Sequence, residues 1–332
     1  MKIAVIGRTQ MLFQVIKLLE QTEHQIVIIG TCKESPEYTV KSSDYERAAN
    51  EKGIPFFCTQ NINTEEIVDK LYRSGADIAI SMNWISTIGD DVIRCFKYGI
   101  LNIHPGDLPR YRGNACPNWA ILNGEDKIGI TIHYMDANKL DAGNIVLKDF
   151  IYIDDNTTIG YVYKELENRI PQLFLRAISI VEKKGSKGDK QDNDSLRCYP
   201  RKPCDGRIEW KKGIVEIQRL VRASGCPFAG AYTYCNDKKI IIKEIQIEPF
   251  REKVFVVPGQ VIVIDKSNNR IGIAASDGIV TIMEGYIEGH EDIRLCDFIR
   301  STRMRMGYNY EDEIYNLKKE IAELKNMCIQ GK

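Results

Sequence analysis

The chain of 332 residues predicts an α/β fold with a mostly parallel sheet and helices on both of its faces, followed by a small β-barrel. The first half alternates apolar runs with amphipathic runs at helical spacing, which is the pattern of repeated βαβ units. The second half contains short strand-like runs separated by turn residues, which favours a small antiparallel barrel. A polar segment between the two halves lacks apolar anchors and indicates a linker. These observations predict a Rossmann-like domain followed by an OB-like domain.

The first half supplies the alternating elements in chain order. Strands are expected at 2–6, 25–29, 54–57, 77–81 and 98–101, and helices at 11–20, 43–51, 64–74 and 90–96. Folds of this kind bind ligands beyond the carboxyl ends of the strands, where the strand order reverses. The turn after the first strand reads Gly7-Arg8-Thr9-Gln10 and lacks the Gly-x-Gly-x-x-Gly pattern. A nicotinamide-dependent dehydrogenase is therefore disfavoured.

The remaining elements set the predicted domain boundaries. A helix over 159–183 with one apolar face, interrupted by Pro171, closes the first domain. Barrel strands are expected at 230–234, 239–248, 259–265, 270–274 and 279–286, after a short helix at 214–224. The predicted domains are 1–184 (Rossmann-like), 185–197 (a mobile linker), 198–308 (OB-like) and 309–332 (an amphipathic helix).

The last segment carries a stripe of apolar residues at alternating steps of three and four. Its members are Ile314, Leu317, Ile321, Leu324 and Cys328. This is the spacing of a heptad repeat. Because two heptads are few, two interpretations stay open: the stripe packs on the body of its own chain, or it supports a contact in a homodimer.

Composition favours a soluble protein without general affinity for polyanions. Lys plus Arg and Asp plus Glu each number 46, so the formal net charge is zero, and no overall field attracts nucleic acid or an anionic membrane. No apolar run reaches the roughly 18 residues that a membrane-spanning helix needs. The chain enters a strand-like run at its second residue, which leaves no room for a signal peptide. We expect a cytoplasmic protein with no membrane partner.

The pattern of cysteines and histidines gives no support for metal catalysis. The ten cysteines form no Cys-x-x-Cys pair, and His24, His104, His133 and His290 are dispersed along the chain. Zinc sites usually show closely spaced pairs of such ligands. We expect no metal, and we expect the cysteines to be small buried hydrophobes or reduced thiols.

Two short segments offer an amide, an imidazole and a carboxylate. Asn102 and His104 are two residues apart after the apolar run 98–101, so their side chains leave the end of that strand on the same face. The prolines and the glycine of 105–109 turn the following segment into a loop over the strand end. Asp141 opens a later Asp-Ala-Gly turn. Taken alone, an Asn-x-His pair is common, and it fits a capping Asn beside a hydrogen-bonded core His better than a catalytic site.

Taken together, these motifs resemble the folate-dependent formyltransferase family. That family carries an Asn-x-His pair, a Leu-Pro-x-Tyr/Trp-Arg-Gly loop and a later Asp-Ala/Thr-Gly, which here are 102–104, 108–113 and 141–143. The block 129–135 resembles the strand that leads into the aspartate loop of the family. The resemblance implies transfer of a formyl group from N10-formyltetrahydrofolate to an amine, and an OB-like domain at the C-terminus.

The resemblance also implies roles for individual residues. The catalytic set would be Asn102, His104 and Asp141. Folate would be bound by Met82, Asn83, Trp84, Ile85, Asp136 and Leu140. The acceptor substrate would be bound by Arg110, Tyr111, Arg112, Tyr199 and Arg201. Ordinary structural roles stay open for several of them: Trp84 as core filling, Asp136 and Asp141 as turn residues, and Arg201 as part of a solvated basic turn.

General chemistry gives the three catalytic candidates complementary tasks. An aliphatic amine is mostly protonated at neutral pH and must lose a proton before it attacks, and the imidazole of His104 titrates in the range needed to accept it. The amide of Asn102 is suited to donate to an oxyanion. The carboxylate of Asp141 is suited to orient His104 or to stabilise its charge.

Three hypotheses differ in the partner. The segment 198–210 resembles a junction of family members that act on nucleotide-linked amino sugars, and the loop after Thr31 lacks the basic insertion expected of members that act on tRNA. A nucleotide-linked amino sugar is therefore the predicted acceptor. Methionyl-tRNA is the alternative, although a tRNA enzyme needs many Lys and Arg contacts to phosphates. A catalytically silent module that binds a nucleotide or RNA is the third hypothesis, and it would have no need for an intact catalytic set.

Overall fold

The chain forms two compact units, Met1–Arg201 and Lys202–Lys332. The computed structural model describes residues 1–35, 38–137, 139–185, 187–307 and 310–330. The first unit contains a mostly parallel sheet with helices, and the second contains an antiparallel sheet. The predicted fold class is confirmed.

The first unit is built on a seven-stranded sheet. Its strands are β1 (Lys2–Gly7), β2 (Gln25–Thr31), β3 (Phe56–Cys58), β4 (Ile78–Met82), β5 (Ile100–His104), β7 (Lys127–Tyr134) and β8 (Ile145–Tyr152). They lie in the order β3-β2-β1-β4-β5-β7-β8. The first five strands pair in parallel, whereas β7 is antiparallel to β5 and to β8. The short strands β6 (Arg112–Gly113) and β9 (Arg197–Cys198) form a parallel pair of their own.

Amphipathic helices connect and cover these strands. They are α1 (Gln10–Leu19), α2 (Ser42–Asn50), α3 (Glu65–Arg73), α4 (Asp90–Arg94), α5 (Cys116–Asn123) and α6 (Ile159–Lys184). The hydroxyl of Thr9 caps α1 by accepting from the backbone N–H of Leu12 at 3.2 Å. The sequence predicted an interruption at Pro171, but α6 runs through it as one helix of 26 residues. Its buried apolar stripe outweighs the loss of one backbone donor.

The strand order reverses between β1 and β4. The loops after β1, β4 and β5 therefore meet at one edge of the sheet, which is where open α/β sheets bind ligands. Arg8, directly after β1, ties two of the neighbouring loops together. Its Nε donates to the carbonyl oxygen of Asn83 at 3.1 Å, and its Nη1 donates to that of Lys33 at 2.7 Å.

Residues 185–197, predicted to be a mobile linker, belong to the first unit. Asp189 and Ile145 exchange two backbone hydrogen bonds of 2.8 Å each. Gln191 is only 8% exposed, and Arg197 begins β9. The described residues of this polar segment thus find hydrogen-bonding partners in the first unit.

The second unit is an antiparallel sheet with flanking helices. Its strands are β10 (Ala231–Cys235), β11 (Lys238–Pro249), β12 (Val261–Asp265), β13 (Arg270–Ala274) and β14 (Gly278–Ile287), and its first helices are the 3-10 turn Pro203–Gly206, α7 (Ile214–Ser224) and α8 (Leu295–Phe298). The strand order is β10-β11-β14-β13-β12. Burial alternates along β10, as expected for a strand with one core face. Trp210 lies in that core and donates through Nε1 to Thr233 Oγ1 at 2.9 Å.

The chain ends in the helix α9 (Tyr310–Gln330). Every described side chain from 313 to 327 is exposed. The apolar stripe therefore does not pack on the body of its own chain, and that interpretation is wrong for the described side chains; that of Cys328 lies outside them. Within the described ranges, neither α9 nor any other helix has the length and hydropathy that crossing a bilayer requires.

Candidate functional site

Asn102 and His104 lie at the carboxyl end of β5. The sequence predicted a strand that ends before them, but β5 extends through His104. Their side chains therefore project directly from the strand, on the same face of the sheet. Asn102 is 8% exposed and His104 is 5% exposed. Both polar side chains are held in place by the sheet itself.

The neighbouring strand adds a second histidine. In β7, which runs antiparallel to β5, His133 pairs with Asn102. Asn102 Nδ2 lies 3.2 Å from His133 Nε2, and His133 Nδ1 lies 2.8 Å from the carbonyl oxygen of Tyr134. Both hydrogen bonds form together when the ring carries its proton on Nδ1, so that Nε2 accepts from the amide. His133 thereby fixes the orientation of the Asn102 amide.

Asp141 approaches the same face from the loop after β7. Its Oδ2 lies 3.5 Å from His104 Nδ1, its Oδ1 lies 3.6 Å from His133 Nε2, and the backbone N–H of Gly113 donates to Oδ2 at 2.9 Å. The structure thus brings the predicted amide, imidazole and carboxylate into one cluster. In the described part of the chain, no group of three or more His, Cys, Asp or Glu side chains is placed to bind a metal ion.

Burial and charge set the protonation of this cluster. Burial lowers the pKa of His104, and the charge of Asp141 opposes that effect. Burial alone would raise the pKa of Asp141, but the attraction of the protonated imidazoles of His104 and His133 and the Gly113 N–H together lower it to about 2. At neutral pH the site holds a neutral imidazole beside a carboxylate. Such a pair is suited to take up one proton.

The carbonyl oxygen of Tyr111 fixes the His104 ring. It lies 2.6 Å from His104 Nε2 and also accepts from Cys116 Sγ at 2.9 Å. Because a carbonyl can only accept, Nε2 carries the proton in this arrangement, and Nδ1 is the basic nitrogen. Gly106 permits this close approach, since a Cβ there would lie 2.5 Å from His104 Nε2.

The residues predicted to bind folate lie on two loops at the same edge of the sheet. Met82 ends β4 and is buried, and Asn83 follows with φ 57° and donates to the hydroxyl of Tyr38. Trp84 packs partly against the core and donates to Ser86 Oγ at 3.1 Å. The structure thus gives Trp84 the core contact that the sequence left open.

Three further folate-binding candidates are accessible. Ile85 is 40% exposed and Leu140 is 49% exposed. Asp136 is also exposed, and its carbonyl oxygen accepts from the backbone N–H of Lys139 at 3.4 Å. The two loops therefore present apolar side chains at their surfaces.

The loop 110–112, predicted to bind the acceptor, makes intramolecular contacts. Arg110 Nη2 and the Tyr111 hydroxyl both donate to Glu125 Oε1, at 2.7 and 2.6 Å. The ring of Tyr111 is buried. Arg112 Nη2 donates to Gln191 Oε1 at 2.6 Å. In the structure these three side chains stabilise the loop that supplies the carbonyl contact to His104.

Tyr199 and Arg201 lie in a group of aromatic rings and guanidinium groups. Tyr199 is 62% exposed, and the guanidinium of Arg197 lies 5.2 Å from the centre of its ring. Arg201 lies 5.9 Å from the ring of Trp119, and Trp119 Nε1 donates to the carbonyl oxygen of Tyr199 at 2.9 Å. Aromatic faces can stack on a nucleobase, and guanidinium groups match phosphate oxygens. The structure therefore joins these two candidates through Trp119, which sequence reasoning missed.

Gln191 connects the two loops around the carboxylate. Besides accepting from Arg112, its amide donates to the carbonyl oxygens of Asp141 and Gly143, at 2.8 Å each. Sequence reasoning missed both Gln191 and His133. The alternation of β7 could have placed His133 on the inward face with Thr131, whereas nothing in the polar segment 185–197 distinguishes Gln191.

Comparison with known proteins matches the chain to two family models. The model described as "Formyl transferase" matches residues 1–178, and "Formyl transferase, C-terminal domain" matches residues 201–303. The methionyl-tRNA formyltransferase of Clostridioides difficile (strain 630) is 26% identical over 311 residues, which cover 92% of this chain and 99% of that protein.

Solved structures share the fold. The N-formyltransferase from Helicobacter canadensis, in complex with folinic acid and dTDP-3-aminofucose, has a TM-score of 0.60 at 18% identity, with 86% of this chain and 100% of that chain covered. HypX from Aquifex aeolicus, in complex with tetrahydrofolic acid, has a TM-score of 0.58 at 18% identity, with 91% of this chain and 47% of that chain covered. The chain thus spans about half the length of HypX.

Proposed function

Because the chain belongs to the formyl transferase family, we propose that it transfers the formyl group of N10-formyltetrahydrofolate to the amino group of a nucleotide-linked amino-deoxysugar. The observation that carries the proposal is the cluster of Asn102, His104 and Asp141 at the carboxyl edge of the sheet. The folate supplies the formyl group when bound. The side chains of the cluster provide the hydrogen-bond donor, the base and the charge.

The proposed folate site lies between two loops, the one that follows β4 and the one that follows β7 and leads to Asp141. A flat, largely apolar ring system needs apolar walls and a few placed polar groups. Ile85 and Leu140 offer exposed apolar surface on these loops, and Asn83 is oriented by its bond to Tyr38. Met82, Trp84 and Asp136 complete the proposed folate site.

His104 is the proposed base. Its Nε2 proton is committed to the Tyr111 carbonyl, so a proton from the acceptor amine goes to Nδ1. That nitrogen lies 3.5 Å from the Asp141 carboxylate, and the negative charge stabilises the imidazolium that results. Asp141 acts on His104 in this scheme and needs no contact with the substrate. His104 then returns the proton to N10 of the tetrahydrofolate as the bond between N10 and the formyl carbon breaks, so the base is regenerated.

Asn102 is the proposed donor to the formyl oxygen as negative charge develops on it. One N–H of its amide is oriented by His133 at 3.2 Å, and the amide carries a second N–H. A well-placed donor to a developing oxyanion contributes about 3–4 kcal/mol. The contact with His133 means that the amide does not have to reorient during the reaction.

The group around Tyr199 supports a nucleotide-linked acceptor. Tyr199 offers an exposed ring for a nucleobase, and Arg201, held against Trp119, offers a guanidinium for a pyrophosphate. Arg110, Tyr111 and Arg112 then act indirectly, by shaping the loop that carries the Tyr111 carbonyl. The zero net charge of the chain also favours a small acceptor over a polyanion.

Methionyl-tRNA is the second candidate acceptor. The observation that favours it is the full-length similarity to a methionyl-tRNA formyltransferase. Under this alternative, Arg201 and neighbouring cations would contact the tRNA backbone, and activity would fall steeply with salt concentration.

A panel of acceptors tests the proposal. The purified chain is incubated with N10-formyltetrahydrofolate and either dTDP- or UDP-linked amino sugars or charged initiator tRNA. We expect turnover with at least one sugar nucleotide. Turnover with tRNA and with none of the sugar nucleotides would refute the sugar assignment. Absence of folate-dependent turnover with every acceptor of the panel would contradict formyl transfer to these acceptors.

A pair of tyrosine variants tests the acceptor site. Tyr199→Ala is expected to raise KM for the sugar nucleotide about 5- to 150-fold, since stacking on an aromatic ring contributes about 1–3 kcal/mol per base. Tyr152→Ala is the matched control, because Tyr152 is 75% exposed and lies outside the proposed site. Equal KM values for the two variants would contradict the role of Tyr199.

A further inference from the structure

We propose that α9 is one strand of a parallel, two-stranded coiled coil formed by two copies of this chain. The helix presents an apolar stripe to solvent. Ile314, Leu317, Ile321 and Leu324 are 51%, 48%, 50% and 56% exposed. A helix in water is stabilised mainly by packing its apolar face, so a helix of 21 residues with this face uncovered needs a partner.

The side chains of the stripe select the number of strands. With Ile314 at position a of a heptad, Ile321 takes the next a position, and Leu317 and Leu324 take the d positions. β-Branched residues at a combined with Leu at d favour two parallel strands over three or four. An identical helix supplies this same pattern, which makes a second copy of the chain the fitting occupant.

The charges beside the stripe select the same partner and its direction. The g positions carry Glu313 and Glu320, and the e positions carry Lys318 and Lys325. In a parallel pair, Glu313 of one copy faces Lys318 of the other, and Glu320 faces Lys325. An antiparallel pair would instead set glutamate against glutamate and lysine against lysine. The pattern is therefore complementary to itself in the parallel direction only.

The outer positions agree with this register. In both heptads, positions b, c and f carry mostly polar or small residues: Tyr315, Asn316, Lys319, Ala322, Glu323 and Asn326. All of them are exposed. The helix therefore has one apolar face, and a single partner helix covers it.

Sedimentation of the full chain gives the first test. We expect the chain to sediment at twice its monomer mass at micromolar concentration, and Ile321→Lys to sediment as a monomer, because a charge at an a position would be buried without a partner. Ala322→Lys, one residue along on the outer face, is the matched control and should remain dimeric. Thermal unfolding of the main body should match in all three proteins.

Several results would overturn the proposal. A parent chain that sediments as a monomer or a trimer refutes a two-stranded pair of copies, and a monomer that gains mass only with another protein identifies a different occupant. An Ile321→Lys variant that stays dimeric places the dimer contact elsewhere in the chain.

Charge reversal tests the register. The variant Lys318→Glu with Lys325→Glu, and the variant Glu313→Lys with Glu320→Lys, should each dimerise at least about tenfold more weakly than the parent. Mixed together, the two variants should form a heterodimer. Lys319→Glu with Asn326→Glu, at the f positions, is the control and should dimerise as the parent does. Failure of the mixture to pair would refute the e and g contacts.

Cross-linking tests the direction. In parallel strands each core position faces its own copy, whereas in antiparallel strands a d position faces an a position. In a Cys328→Ser background, Leu317→Cys (position d) and Ile321→Cys (position a) should therefore each form a disulfide between copies under a mild oxidant. Cross-linking that appears only when the two variants are mixed would show antiparallel strands and overturn the parallel arrangement.

Discussion

Asn102 and His104 lie beside other buried polar side chains of the sheet, since Asn102 pairs with Ser81 and His133 and His104 pairs with Thr131. Buried polar groups are retained where hydrogen bonds satisfy them. Here His133 satisfies Asn102, and the Tyr111 carbonyl satisfies His104. Each catalytic candidate is thus oriented by a neighbour that carries no reactive role in the proposed mechanism.

Removal of either side chain should abolish most of the activity. We expect Asn102→Ala to lower kcat about 10²- to 10³-fold, since it deletes a donor to developing charge. His104→Ala should lower kcat at least about 10²-fold through loss of the base. Steady-state kinetics with saturating folate and acceptor measure both effects. His290→Ala, which removes an exposed histidine of the second unit, is the control, and near-parent rates in either site variant would remove the proposed role.

Asp141 should control the pH dependence of the reaction. Its charge raises the pKa of His104 against the effect of burial. Asp141→Asn removes that charge, so the pKa of His104 should fall further. Because the neutral form of His104 is the base in the proposed mechanism, the acid limb of kcat/KM should move to lower pH in the variant. The plateau should fall by about 10²-fold or more, since the imidazolium loses its counter-charge.

The pH profile of the residual activity distinguishes this role from a structural one. In the parent, the acid limb should lie below pH 6.5, the ordinary value from which burial lowers the pKa of His104. An acid limb that stays in place or moves upward in Asp141→Asn would show that the carboxylate does not act on His104.

The described part of the segment 187–197 connects the loop of Arg112 to the loop of Asp141 by hydrogen bonds of Gln191. We expect Gln191→Ala to lower kcat about tenfold with little change in either KM, since the loss of a buried hydrogen-bonded group costs about 1–3 kcal/mol. The acid limb of the pH profile should also move to lower pH, because a less well-positioned Asp141 carboxylate raises the pKa of His104 less.

The control for Gln191→Ala is Asn193→Ala, which removes an exposed side chain two residues away. Kinetics and thermal unfolding are compared across the parent and both variants. If Gln191→Ala lowers the thermal stability and leaves kcat and the pH profile unchanged, Gln191 has a structural role only.

The loop after β5 depends on Gly106. A Cβ at this position would lie 2.4 Å from the Tyr111 carbonyl oxygen and 2.5 Å from His104 Nε2. Gly106→Ala should therefore separate these two groups, lower the free energy of unfolding by about 1–3 kcal/mol and lower kcat at least about tenfold. Gly225→Ala is the control, because its nearest contact would be an ordinary 3.8 Å. Parent-like kinetics in Gly106→Ala would show that the contact between Tyr111 and His104 is dispensable.

The two loops at the carboxyl edge of the sheet are held by the same fold that carries the catalytic cluster, so folate binding should stabilise the protein. At about 100 times its Kd, a ligand adds about 2.7 kcal/mol. For a unit of this size, that corresponds to a rise in Tm of about 5–10 °C. Thermal unfolding with tetrahydrofolate measures the shift, and NADH is the negative control, since the dinucleotide pattern is absent after β1. No shift with any reduced folate would contradict the folate site.

Local signals were sufficient for the arrangement of the elements and for the catalytic candidates. Alternating periodicity predicted the parallel strands and their helices, and the spacing of Asn102 and His104 predicted a shared face. The end of β5 was predicted too early because Asn and His are not typical strand residues. Pro171 suggested an interruption that the packing of α6 overrides.

Contacts between segments that are far apart in the sequence could not be predicted from the sequence. His133 meets Asn102 through the register of an antiparallel pair, and Gln191 reaches Asp141 from 50 residues away. Periodicity reports which face of its own element a residue occupies, and it carries no information about which residue lies opposite.

The amino-acid order alone determined the α/β architecture, the family resemblance and the three catalytic candidates, because these depend on residue type and local spacing. Folding in three dimensions decided the proton positions on His104 and His133, the hydrogen bond from Gln191 to the Asp141 loop and the exposure of the α9 stripe. Each of these depends on hydrogen-bonding partners, burial or a missing neighbour. Such properties exist only once segments far apart in the chain have come together.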